Sequence, residues 1–576
     1  MTTATAPGPA GHAASTIFAL PRWRARDSMA RATGRSMGAD GMAGASVQGT
    51  EDGSGTDAVA IALRAPVEIE LKLRVPAGML DDIRASAAVQ QAARNKGLIR
   101  RLEATYYDTS DHRLFAAGLS LRVRREGRHH VQTVKRAAAH GSLQRNEWEA
   151  VVPDMEPDLA LLPLAEIGAP LDGMTADELA PVFATRVRRH LLVLDHQDAR
   201  IELALDDGVI EFGATRVPLS EVELELKQGK VAALYQFGLN LMDVAPLCLE
   251  TQSKSARGYA LALGDEPSAV KAAPSGFVRA DTVDEAIAKL LTNCQQQIMA
   301  NLSASQTGLE PEGVHQLRVA LRRLRVALHF LGRELQAPSL ESLNTEAKLF
   351  GQALGPARNW DVFLHSTLTE IEEAALPHVN ISAFRAACMP AHDQAYQTVR
   401  RIIGDPRTNR FLLSLGLVIE LRSWRNDIAS EDLRILTEPL GQFAARVLDR
   451  VERQVRRRGH GFRHLHADAR HRLRLGLKRL RYAAEFFLPL YSSRPVTAKY
   501  IKRLARLQDL LGEANDIRSA HELMETLDHD SLGAEANRAV GAIIGWQGHR
   551  QAAGGKQLIG RWRAFKDTAP FWAPRL

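Results

Sequence analysis

An eleven-residue segment occurs twice in this chain, and it fixes the plan of half the protein. His315-Gln-Leu-Arg-Val-Ala-Leu-Arg-Arg-Leu-Arg325 is echoed by His471-Arg-Leu-Arg-Leu-Gly-Leu-Lys-Arg-Leu-Arg481. Downstream, Leu354-Gly-Pro-Ala-Arg-Asn-Trp-Asp361 is echoed by Leu511-Gly-Glu-Ala-Asn-Asp-Ile-Arg518. The offsets are 156 and 157 residues. So regular a spacing means one structural unit used twice. Apolar residues recur at helical spacing throughout residues 276–565, which predicts two helical bundles packed about a pseudo-twofold axis.

The preceding region has a different period. Val67-Glu-Ile-Glu-Leu-Lys-Leu73 alternates strictly, and similar runs follow at Ser120–Arg124, His130–Lys135, Glu147–Val151, Arg200–Leu205, Val209–Phe212 and Val222–Leu226. Helical stretches interrupt them at Met79–Asn95 and Val231–Asp243. The prediction is a mostly antiparallel β domain over 64–263, a Gly- and Pro-containing linker over 264–275, and the helical domain over 276–565. The whole is a multidomain α+β chain. Residues 1–60, rich in Ala, Gly, Ser and Thr, read as a disordered tail with no secretory signal; Met29, Met37 and Met42 are alternative starts within it.

Composition narrows the class. The longest apolar run, Phe411–Ile419, is far short of the roughly 18–20 residues of a spanning helix, so no membrane is expected. Three scattered cysteines, Cys248, Cys294 and Cys388, exclude a disulfide scaffold and a thiolate zinc site and fit a cytoplasmic protein. Charge is split. Residues 281–576 carry 42 Lys and Arg against 32 Asp and Glu, whereas residues 1–280 carry 32 against 35. A polyanion belongs on the second half.

On a strand, residues i, i+2 and i+4 share a face. Glu68, Glu70 and Lys72 therefore project together, as do Arg122 with Arg124, Arg145 with Glu147 and Glu149, Glu202 with Asp206, and Glu221 with Glu223 and Glu225. A solvated sheet face is the ordinary reason for such alternation. The sorting of charge argues for more. Three acids in a row at Glu221–Glu225 repel one another, with no local bases expected to relieve them. Mg²⁺ or Mn²⁺ on their oxygens would do so. Arg and Lys would then hold phosphoryl oxygens, and closure into a barrel would turn the charged face into a lumen.

These residues resemble the CYTH, or triphosphate tunnel metalloenzyme, superfamily. Glu68-Ile-Glu-Leu-Lys72 matches its ExExK signature. Tyr106-Tyr-Asp-Thr109, Gly118-Leu-Ser-Leu-Arg-Val-Arg124, Thr133-Val-Lys135, Arg145-Asn-Glu147, Glu221-Val-Glu-Leu-Glu225 and Ser253-Lys-Ser-Ala-Arg-Gly-Tyr259 follow in the family's order. The resemblance implies an eight-stranded antiparallel β-barrel tunnel lined with charge. It implies metal binding by Glu68, Glu70, Glu221 and Glu223. It implies a triphosphate clamp of Lys72, Arg122, Arg124, Lys135, Arg189 and Lys254, with Arg145 as a further phosphate contact. Lys72, Glu147 and Asp206 are the expected catalytic residues, since either acid could orient an attacking water.

In the helical half, His315, Arg318, Arg322 and Arg325 fall within a sector of roughly 80° on a helix, beside a stripe of leucines. His471, Arg474, Lys478 and Arg481 repeat the arrangement, and Lys502 and Arg506 add bases downstream. Few acids stand at i+4 to pair with them. This half resembles the CHAD domain, which implies binding of inorganic polyphosphate by these ten residues. The second copy departs from the first: Asn515-Asp-Ile-Arg518 replaces Arg358-Asn-Trp-Asp361, so unequal contributions are expected.

Together these features predict a cytoplasmic, Mg²⁺- or Mn²⁺-dependent inorganic triphosphatase that docks on polyphosphate and associates with its granules. The competing readings are a non-catalytic polyphosphate-binding protein, and a thiamine triphosphatase or adenylate cyclase of the same superfamily. Nucleic acid is disfavoured, because aromatic side chains for base stacking are scarce around the basic stripes.

Overall fold

The computed structural model describes residues 67–137, 141–171, 173–374, 379–493, 495–528 and 532–573. The tail expected over residues 1–60 lies outside them.

Eight strands build the first domain: β1 (Val67–Arg74), β2 (Leu98–Asp108), β3 (Leu119–Glu126), β4 (His129–Arg136), β5 (Gln144–Val152), β6 (Ala180–His196), β7 (Ala199–Phe212) and β8 (Thr215–Gln228). They are antiparallel in the order β5-β4-β3-β2-β6-β7-β8-β1, and β1 pairs back onto β5 to close a barrel. The runs expected at Arg200–Leu205 and Val209–Phe212 are one continuous strand, β7. Two strands, β2 and β6, escaped the sequence reading. In β6 the buried face changes partway: Phe183, Thr185 and Val187 are buried on one side of the strand, then Leu192 and Leu194 on the other. No single period-two stripe can register that switch.

The odd-numbered residues of β1 explain the alternation. Leu71 and Leu73 face outward with Leu203, Val222 and Leu224. There they pack against Leu234, Phe237 and Leu241 of helix α1 (Ala232–Leu241). The even-numbered residues face the lumen. Helix α2 (Lys254–Leu263) closes one end of the barrel. Ser253 caps it by accepting from the Ala256 amide at 3.0 Å, and Tyr259 stacks on Phe115 at 4.3 Å and meets the edge of Phe183 at 5.2 Å. Gly258 permits this seat, since a Cβ there would lie 2.0 Å from the Phe183 ring. Residues 265–278 then cross to the second domain without regular structure, pinned where Val270 and Asn301 exchange two 2.9 Å hydrogen bonds.

The helical domain runs α3 (Val283–Asn301), α4 (Glu312–Leu335), α5 (Pro338–Ala353), α6 (Gly355–Val362), α7 (Ile381–Ile403), α8 (Pro406–Leu421), α9 (Leu440–Arg458), α10 (Ala467–Phe487), α11 (Pro495–Glu525) and α12 (Ala534–Lys566), with shorter turns between. In sequence, α3, α4, α5–α6 and α7 correspond to α9, α10, α11 and α12. The first copy breaks between α5 and α6, where Pro356 sits in the first turn of the new helix. The second copy has Glu513 at that place and continues as one helix, because only proline lacks the amide that a continuous helix needs. The copies meet at equivalent points: the Val283 amide donates to the Glu438 carbonyl at 3.2 Å, and the Leu440 amide donates to the Asp281 carbonyl at 3.1 Å. That reciprocity is what a local twofold requires.

The two domains share a core. Leu413 of α8 is fully buried among the barrel's outer residues, and Gly416 lies so close to Tyr235 that a Cβ would stand 2.2 Å from its ring. Among the described residues, no helix is long and apolar enough to cross a membrane.

Candidate active site and basic groove

The barrel encloses a lumen of about 450 Å³. Charged residues meet across adjacent strands. Opposite signs face at Glu68–Arg145, Lys135–Glu147, Lys72–Glu223 and Arg189–Asp206, whereas acids face acids at Asp206–Glu221, Glu70–Glu225 and Glu202–Glu225. The opposite pairs stabilise the sheet, and the like pairs need other bases to relieve them.

Two clusters result. In the first, Lys135 Nζ lies 3.0 Å from Glu68 Oε2 and 2.9 Å from Glu147 Oε1. Arg145 holds Glu68 through Nε at 2.6 Å and Glu70 through Nη2, and Lys72 Nζ is 2.9 Å from Glu70. In the second, Arg189 grips Asp206 with two bonds of 2.7 and 2.6 Å and also reaches Glu223. Lys254 Nζ stands among three carboxylates, 2.8 Å from Asp206, 2.7 Å from Glu223, and in contact with Glu221. Lys72 links the clusters, 3.7 Å from Glu223.

The expectation that the row Glu221–Glu225 lacks local bases is corrected here. Lys254, Arg257, Arg189 and Lys72 reach Glu221 and Glu223, and Lys227 Nζ is 2.6 Å from Glu225. Arg257, which pairs with Glu221, was missed in the sequence. Its signal was present, because it stands three residues after Lys254 and so shares a face of α2. Tyr106 was missed as well; it lines the lumen and stands opposite Arg122 across β2 and β3.

Arg122 and Arg124 are less committed. Arg122 lies 3.9 Å from Glu147, Arg124 pairs with Glu126 and lies 4.0 Å from Glu149, and the Nε of each is buried without a partner. Glu149, Glu202, Glu225 and Lys227 also line the lumen and are more exposed than the residues of the two clusters.

Electrostatics divides the acids into two states. Burial opposes ionisation of Glu223 and Asp206, yet Lys254 and Arg189 hold both below the usual carboxylate range. Burial likewise opposes Glu68, and Lys135 with Arg145 overcome it. Glu147 goes the other way: burial lifts it despite Lys135, and Glu68 adds to the lift. Acids pushed apart in this way are suited to different tasks. Asp206, Glu221 and Glu223 can each turn an oxygen to within 4.8 Å of the others. That hard-oxygen set fits a divalent cation. Glu68 and Glu70 stand with the first cluster rather than in this triad.

The second basic region is a groove of about 1750 Å³ between the two repeats. His315, Arg318, Arg322 and Arg325 enter it from α4, Arg474, Lys478 and Arg481 from α10, and Arg358 from α6. His471 does not line it and lies 3.3 Å from Arg518; Lys502 and Arg506 are exposed outside it. Compensation is sparse. Arg318 donates to the Gly351 carbonyl at 2.7 Å and Arg481 to Glu485 at 2.7 Å. The Nε atoms of Arg325 and Arg474 are buried without partners. Burial, then Arg322 and Arg474, push Lys478 down to about 7. Burial, then Arg322 and Arg358, push Arg318 down to about 10. The copies differ: Arg358 adds a base from the first, while Asp516 adds an acid from the second. Asp361 of the first copy is buried instead, accepting from Tyr396 at 3.1 Å and lying 3.3 Å from His392.

Comparison with known proteins assigns both halves. Residues 67–259 match the CYTH domain and residues 289–525 match the CHAD domain. An inorganic triphosphatase of Haemophilus influenzae is 30% identical over 194 residues, which cover 34% of this chain and 54% of that protein; the chain thus spans about half the length of that curated relative. The crystal structure of the CHAD domain from the plant Ricinus communis aligns at 27% identity and a TM-score of 0.45, over 52% of this chain and 98% of that one. A Hippeastrum adenylyl cyclase candidate with a dominant triphosphatase activity aligns at 20% identity and a TM-score of 0.25, over 34% and 95%. This chain joins a CYTH domain to a CHAD domain.

Proposed function

We propose that the CYTH barrel of this chain hydrolyses inorganic triphosphate and that its CHAD groove binds inorganic polyphosphate. One observation carries the reading: acids and bases from seven strands and one helix converge on a single closed lumen. Lys72, Arg122, Arg124, Lys135, Arg145, Arg189 and Lys254 surround it, and Arg122 and Arg124 have donors free for phosphoryl oxygens.

Phosphoryl transfer needs positioning and charge neutralisation more than covalent chemistry. Arg145 and Lys135, now spent on Glu68, exchange that carboxylate for phosphate oxygens when triphosphate enters. Asp206, Glu221 and Glu223, with Glu68 and Glu70 nearby, would hold the divalent cation, Mg²⁺ or Mn²⁺. When bound, such a cation supplies charge neutralisation on phosphoryl oxygens and acidifies water. Lys254 then releases its carboxylates and turns to the phosphate. Glu147, lifted in pKa, accepts the proton of the attacking water, while Asp206, still gripped by Arg189, orients the acid cluster. Lys72 ties the two clusters together during this exchange.

The groove reading rests on bases from both repeats that outnumber the acids among them, an arrangement that a linear polyanion relieves. The test is phosphate release by the purified chain from triphosphate, thiamine triphosphate, ATP and long polyphosphate, with Mg²⁺, Mn²⁺ or a chelator. Metal-dependent release fastest from triphosphate is expected; no release from any of the four sinks the enzymatic reading. Polyphosphate binding is scored separately, in salt-matched competition against single-stranded RNA.

A further inference from the structure

A second cavity, of about 330 Å³, adjoins the lumen. Glu70, Lys72, Ser120, Lys135, Arg145 and Ser253 border both spaces. Its origin is topological. β1 and β5 pair as far as Ile69 and Gln144, and the Glu70 amide still donates to the Leu143 carbonyl at 3.0 Å; beyond that bond β1 continues only beside β8 and Cys248–Leu249. A gap opens where the two strands part. Its far wall comes from the helical domain, as Met299 and Ala300 of α3 and the following Ser303. That wall is fixed in place: the hydroxyls of Thr251 and Ser303 are 3.4 Å apart, and a Cβ on Gly141 would stand 2.3 Å from the Gln296 carbonyl oxygen. Exposed Ala137 and half-buried Pro267 of the interdomain segment line the cavity's outer side.

We propose that this cavity is an exit passage for orthophosphate, walled by the helical domain, which empties the tunnel while the remaining diphosphate still fills the entry mouth. The proposal rests on the triphosphatase reading above. Hydrolysis forms one P–O bond from water, breaks one anhydride bond, passes the water proton to Glu147, and leaves two anions in the lumen. The chemistry of the passage suits transit. Ser142, Thr251, Ser255 and Ser303 offer hydroxyls. Beyond the lumen's own bases, the described lining adds only Arg136, which already donates to the Ile167 carbonyl at 2.6 Å, and it adds an acid, Glu250. Such a wall can hydrogen-bond a small oxyanion without retaining it. At about 30 Å³ per water, the volume admits a phosphate with several waters.

The test fills the passage from the helical side with Ala300→Trp, and from the barrel side with Ser142→Trp, in the full chain. Steady-state turnover of inorganic triphosphate with Mg²⁺ is compared with rapid-quench cleavage in a single turnover. Turnover is expected to fall about tenfold while the cleavage rate stays within about twofold, with a burst of enzyme-held phosphate, because release can limit kcat. Unchanged turnover in a variant with native circular dichroism and melting overturns the proposal. A parallel fall in single-turnover cleavage also overturns it, since the passage would then be supplying water. Absence of cleavage by the unsubstituted chain is a different failure: it removes the triphosphatase reading itself, and the exit with it.

Discussion

The two charged cavities solve opposite electrostatic problems. In the barrel, bases and acids interleave, so that Lys254 alone touches three carboxylates. In the helical groove, bases face bases, and Lys478 is pushed to about 7 by burial and by its cationic neighbours. A pre-neutralised lumen attracts no polyanion by net charge. It accepts one that can exchange partners with groups already in place, and it pairs with a ligand that arrives with cations. The groove needs no exchange; under the proposed reading its excess of bases would bind a linear polyanion that follows them. Recognition by exchange is geometric, whereas recognition by net charge is sensitive to salt and pH.

The sharpest way to break this contrast is in the lumen. Arg145→Ala and Asp206→Asn each should cost about 10²–10³ in kcat, the scale of removing one preorganised charge, while leaving polyphosphate binding intact in a filter or calorimetric assay. Equal loss of both functions would mean that the cavities are not independent. Glu147→Gln should cost about 10²-fold or more, the range for a lost general base. Because burial raises Glu147, the acid limb of the pH–rate profile should lie above the ordinary carboxylate value, activity falling as pH drops through it; a limb unchanged in the glutamine variant would exclude Glu147.

In the groove, Arg322→Ala or Lys478→Ala should weaken polyphosphate binding about tenfold, as loss of one charge-assisted contact does, without altering triphosphate turnover. Here pH acts in the opposite sense. Lys478 titrates lower in the folded chain than unfolded, so folding carries a penalty that grows as pH falls from the ordinary lysine range toward 7. A bound polyanion relieves it. Long-chain polyphosphate should therefore raise Tm more at pH 6 than at pH 9, read by scanning calorimetry at fixed salt. Smallest in effect is Gly258→Ala, which forces a methyl against Phe183 and should cost about 1–3 kcal/mol by overpacking, with turnover falling only as α2 loosens.

Much of the site could be read from periodicity. Glu68, Glu70 and Lys72 share a face because a strand alternates, and His315, Arg318, Arg322 and Arg325 share one because a helix repeats every 3.6 residues. Both facts are local. β6 was illegible because its burial changes side between Val187 and Leu192, which no local rule anticipates. Arg257 was passed over because its partner, Glu221, is 36 residues away. His471 repeats His315 in sequence but lies outside the groove, 3.3 Å from Arg518, a placement that the repeat does not announce.

The sequence by itself determined which side chains point together and that the helical half is one plan used twice, because those properties depend only on the turn angle between neighbouring residues. Tertiary structure decided which rows of charge face one another, which acids are neutralised and by what, and that a wall of α3 stands at a gap in the barrel. Those outcomes depend on strand neighbours and domain docking. Coulomb interactions act through space, so their partners are set by the fold rather than by distance along the chain.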